Sequence, residues 1–107
     1  MGSVKTIKIN QNVNNIIEYT FDTSINLTGY DCSLYIRKDN VTSTFDVSSF
    51  IFTYNASTYS GHGIVVTELS TTDSSLKIGE GLQQHKFYKG TKTFTEGIGT
   101  LKVEQTI

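Results

Sequence analysis

Between Ile64 and Val103 the chain never sustains a helical period, and this constrains its fold more than any other feature. Ile64-Val65-Val66-Thr67-Glu68-Leu69 is a short β-run. It breaks into the turn cluster Ser70-Thr71-Thr72-Asp73-Ser74-Ser75, steps through Leu76 to Gly79, and resumes in β-runs joined by Lys89-Gly90. Short runs of this kind, bounded by Gly, Ser, Thr and Asp, are strands of an antiparallel sandwich closing its last elements. No window elsewhere holds a 3.6-residue period over three turns, so the sequence gives helical bundles and βαβ units little support.

The rest of the chain continues the pattern. Val4 to Ile9 reads as a strand with Ile7 and Ile9 on one face, followed by a polar break from Asn10 to Asn15. In Ile16 to Phe21, Ile17, Tyr19 and Phe21 share a face; in Tyr30 to Arg37, Cys32, Leu34 and Ile36 alternate inward. Lys38-Asp39-Asn40 is a turn. Val41 to Val47 offers Phe45 and Val47. Phe50, Phe52 and Tyr54 project to one side of the next run, with Ile51 on the other. Asn55 to Gly63 reads as a loop, Ile64 and Val66 as one face of a strand, and Ser70 to Ser75 as a single capped helical turn. Gly81 to Tyr88, a short run at Phe94, and Gly99 to Glu104 complete the set. The expectation is an all-β, Ig-like antiparallel sandwich of 7–9 short strands, with residues 1–15 as an N-terminal strand or arm and residues 16–107 as one domain.

Composition agrees. Of 107 residues, 36% are hydrophobic and 18% charged, below the roughly 25% charge of an average soluble domain. Ser and Thr make up about a quarter of the chain, which suits strands and turns. The net charge is −1, and no run of Lys or Arg forms the basic stripe that nucleic acid or an anionic membrane surface requires. The polar, Asn-rich first 15 residues read as lacking a signal peptide. The single Cys32 suits assembly in a reducing cytosol.

Chemistry-bearing residues are sparse. His62, between two glycines, lacks ligand partners at zinc spacing and reads as an exposed loop residue. His85 alternates with Gln83 and Phe87 and reads as half-buried. Cys32 sits in an inward row and packs as a small hydrophobe. The glycines of Gly79-Glu80-Gly81 and Gly97-Ile98-Gly99 precede β-type residues, which makes them turn or bulge positions, not phosphate cradles. No catalytic, metal or cofactor residues are assigned, and the chain is expected not to be an enzyme. The aromatic set includes Tyr54 and Tyr59, which together with Ile7 and Ile9 are the candidate interface residues. The alternative is a carbohydrate-binding module, since exposed tyrosines stack on sugar rings.

The order Leu27-Thr28-Gly29-Tyr30, an alternating strand ending Ile36-Arg37, Leu69-Ser70-Thr71-Thr72-Asp73, the Leu76 to Gly79 step, and Glu96-Gly97 before Leu101-Lys102-Val103 resembles small structural domains of tailed-phage virions. It is similar to the N-terminal domain of phage baseplate upper proteins and related tail or fibre adaptors, over residues 17 to 103. Gln83-Gln84 and the doubled glycine of Gly97-Ile98-Gly99 depart from that pattern. The resemblance implies a virion component in baseplate, tail, fibre base or capsid decoration. Such a component is assembled in the host cytoplasm, works through contacts with other virion proteins, and forms a homo-oligomer such as a trimer or ring. The arm of residues 1–15 is then expected to pair with a neighbouring subunit by strand addition.

Overall fold

A computed structural model describes residues 5–106. Nine strands form two sheets: β1 (Thr6–Asn10), β2 (Asn15–Thr23), β3 (Asp31–Lys38), β4 (Val41–Asp46), β5 (Ser49–Asn55), β6 (Ser60–Leu69), β7 (Gly79–Lys89), β8 (Lys92–Thr95) and β9 (Gly99–Glu104). Sheet A runs β1-β9-β7-β3-β4, with β8 also on β7; sheet B runs β2-β6-β5. Every pair is antiparallel except β1 with β9. The sandwich expected from the period-two rows is the observed fold.

The core is those rows facing each other. Ile17, Tyr19 and Phe21 of β2 and Val65 and Leu69 of β6 lie over Cys32, Leu34 and Ile36 of β3, Phe87 of β7, and Leu101 and Val103 of β9. Phe21, Phe50 and Phe87 meet at ring separations of 5.1–6.2 Å and tie the two sheets together. Cys32 lies in this core, and burial pushes its thiol up to about 12.

Three sequence readings are corrected. First, β6 begins at Ser60 and not at Ile64, so His62 stands on a strand. Ile64 and Val66 share a face as expected, the outer one, and Gly61, Gly63, Val65, Thr67 and Leu69 point inward. The glycines make room for rings from neighbouring strands: a Cβ on Gly61 would run into Phe52, and one on Gly63 into Phe21. Secondly, β1 is the edge strand of this chain's own sheet A. It pairs with β9 of its own chain, and Ile7 (6% exposed) and Ile9 (0%) are core residues. Alternating apolar side chains on an edge strand find their burial under the nearest sheet. Residues 1–4 of the expected arm lie outside the described residues. Thirdly, His85 is fully buried.

Polar side chains hold the corners. Between β1 and β2, the Asn15 side chain accepts from the Asn10 N–H and donates to the Asn10 and Val13 carbonyls, all at 2.9 Å. It supplies what a ladder neighbour would. Asp39 and Asn40, at φ 53° and 65°, form the two-residue hairpin turn between β3 and β4, whose positive φ values match strand twist. The Ser70–Ser75 segment is one turn, as expected. Ser70 N–H donates to the Asp73 carboxylate and Asp73 N–H to the Ser70 hydroxyl, both at 3.1 Å, in a capping-box exchange.

Candidate functional site

The nine strands separate charge by sheet. Those of sheet A carry seven cations (Lys8, Arg37, Lys38, Lys86, Lys89, Lys92, Lys102) against four carboxylates (Asp31, Asp46, Glu80, Glu104), a net of +3. Those of sheet B carry three carboxylates (Glu18, Asp22, Glu68) and no Lys or Arg, a net of −3. The overall charge of −1 conceals this division.

Each outer face also carries apolar surface. On sheet A the β8–β9 link bulges at Glu96–Ile98, so that β8 and β9 follow one another along the same side of β7. The bulge puts Ile98 (57% exposed) near Leu82 (47%), in a cleft of about 250 Å³ that Tyr35, Arg37, Thr42, Gln83, Gln84 and Lys86 complete. The Tyr35 ring is pinned there. Its hydroxyl accepts from Tyr88 at 2.6 Å, and the Lys86 ammonium lies 4.3 Å from its ring centroid. Burial, followed by the bond to Tyr35, pushes the Tyr88 hydroxyl up to about 12.

On sheet B, Ile51 (60% exposed) is directly opposite Ile64. Val66 follows on the same strand, and Ile16 (74%) stands one step further on β2. Glu18 and Glu68 flank this stripe in register with Val66 and Ile16 respectively. At the other end His62 Nδ1 is 2.8 Å from Asp22 Oδ1. Among the described residues, no group of three or more His, Cys, Asp or Glu side chains could hold a metal ion.

The candidate tyrosines are divided by the fold. Tyr54 points inward at the end of β5, its ring 6.4 Å from Phe52 and its hydroxyl donating to the Ser24 carbonyl at 3.3 Å. Tyr59 is 72% exposed in the β5–β6 turn, at φ 50°. With one ring tied into the sandwich and one on its tip, they make no shared platform.

A second cluster escaped the sequence reading. Tyr19, His85 and Glu96 converge where β2 crosses the bulge. The His85 and Tyr19 rings are 4.3 Å apart, the Tyr19 hydroxyl is 3.4 Å from Glu96 Oε2, and the Lys5 ammonium sits 4.4 Å from the Tyr19 ring centroid. Lys5 also donates to the Thr20 carbonyl, while its own carbonyl accepts from Gln83 Nε2 and Thr100 N–H. Burial and then Glu96 push the Tyr19 phenol up to about 12, and burial with Lys5 lowers His85 to about 4. Burial raises the Glu96 carboxyl, against the Tyr19 bond and Lys5. Acid, phenol and imidazole therefore meet, but the imidazole is 0% exposed and neutral, and the phenol stays protonated. A general base needs reach to a substrate proton and a pKa near its working pH; sealed in this way, the group packs the bulge. The signal for it was the inward row Gln83, His85, Phe87.

No family model matches the chain, and no curated protein matches it significantly.

Proposed function

We propose that this chain is a structural virion protein of a tailed bacteriophage, an assembly or adaptor sandwich that works through protein–protein contacts. The observation that carries the assembly part is apolar surface on both broad faces: Ile16 and Ile51 on one, Leu82 and Ile98 on the other. Clustered exposed apolar side chains bordered by charge are the mark of a surface meant to be covered. The virion setting rests on the strand and turn motifs from Leu27 to Val103.

Antibodies raised against the chain test the reading by immunogold electron microscopy of purified phage particles from the source culture. Gold at a fixed position on intact particles is the expected result. Gold confined to the particle-free lysate would overturn the virion assignment.

A further inference from the structure

We propose that the chain docks on a second copy of itself head to tail, the outer face of sheet B in one copy against the outer face of sheet A in the next. This rests on the assembly reading and names both the partner and the two surfaces.

Charge complementarity selects the occupant. The stripe of Ile16, Ile51, Ile64 and Val66 is flanked by Glu18 and Glu68 on a sheet with no Lys or Arg. The apolar centre of the other face, Leu82 and Ile98, shares its cleft with Arg37 and Lys86. Pairing these faces buries apolar side chains against each other and sets carboxylates against cations, an arrangement that steers association and fixes orientation. A two-fold pair centred on either apolar patch would instead set Glu18 and Glu68 against their own copies, or Arg37 and Lys86 against theirs. The contact is thus heterologous, and it propagates to a ring or an open stack according to the rotation between copies.

Size sets the strength. Sheet B has three strands, and the longest has ten residues. That gives a face of about 34 by 14 Å, or about 480 Å² in plan. A standard interface buries about 800 Å² per partner, so the isolated contact is weak and becomes firm only in a closed or scaffolded array.

Sedimentation velocity on the full chain at low salt, from roughly 10 to 500 µM, tests this. Wild type is expected to associate with rising concentration, and about tenfold less tightly when salt is raised. Glu18→Lys/Glu68→Lys and Arg37→Glu/Lys86→Glu are each expected to stay monomeric with an unchanged circular dichroism spectrum. Mixing the two variants is expected to restore association, because each retains one native face for the other. A wild type that remains monomeric throughout overturns the proposal, as does a variant that associates like wild type or a mixture that stays monomeric. Should a variant fail to fold, the salt response of wild type decides, and association indifferent to salt counts against the docking. These results leave the particle-labelling outcome independent, so the docking can fail while the virion assignment stands.

Discussion

The His85 imidazole lies against the Tyr19 phenol ring with centroids 4.3 Å apart and planes tilted by 32°. The contact joins β7 of one sheet to β2 of the other, and Glu96 reaches the same phenol from the bulge. Stability should therefore depend on pH through groups that sit between the layers.

Acid should unfold the protein through His85. Its pKa falls from 6.5 to about 4 on folding, by burial and then by Lys5. Between those values the unfolded chain binds more protons, so stability is full above about 6.5 and is lost as pH drops towards 4. The loss should approach about 3 kcal/mol. Urea melts across this range check it, and His85→Phe should flatten the slope.

Glu96 should work in the opposite sense. Its carboxyl is raised by burial, so above the usual carboxylate range the folded state holds the proton more tightly, and stability falls as pH rises through that window. Removing this opposing contribution with Glu96→Gln should steepen the acid loss due to His85 while leaving an acceptor for Tyr19. The same pH series of melts measures the difference.

Asn15→Ala should cost about 2–3 kcal/mol, because it strands the Asn10 N–H and two carbonyls at the β1–β2 corner. Hydrogen exchange should locate the loss, with the amides of β1 and β9 exchanging faster than those of β3.

Gly63→Ala should destabilise by about 1–3 kcal/mol, since the added methyl meets the Phe21 ring. Phe21→Leu in the same chain should recover part of that cost. Denaturant melts of the double-mutant cycle read the coupling, and simple additivity would refute the contact.

Tyr59→Gly should stabilise by about 0.5 kcal/mol. The tyrosine holds φ 50° while largely exposed, and relief of left-handed strain exceeds the entropy glycine adds to the unfolded chain. A higher melting temperature checks it.

Much of the fold was legible because hydrophobic alternation at Ile17, Tyr19, Phe21 and at Cys32, Leu34, Ile36 has one physical solution, a row facing a core. The start of β6 was misread because two of its inward positions are glycines. Their space is filled by Phe52 and Phe21 from strands 9 and 42 residues away in sequence, which a strand read alone does not reveal. His85 was placed near the surface on polarity, although its alternation with Phe87 pointed inward; tertiary packing against Tyr19 decided between them. Ile7 and Ile9 were read correctly as one face, but a local pattern does not say which sheet receives it. The charge division could have been found by summing each strand separately; the whole-chain total of −1 cancels it.

That division gives the molecule a direction. The surroundings of its two outer apolar patches are unlike, so a line of equally oriented copies would begin with Glu18 and Glu68 around one patch and finish with Arg37 and Lys86 around the other. Whatever terminates such a line needs opposite chemistry at its two extremities, and a single type of stopper could not serve both.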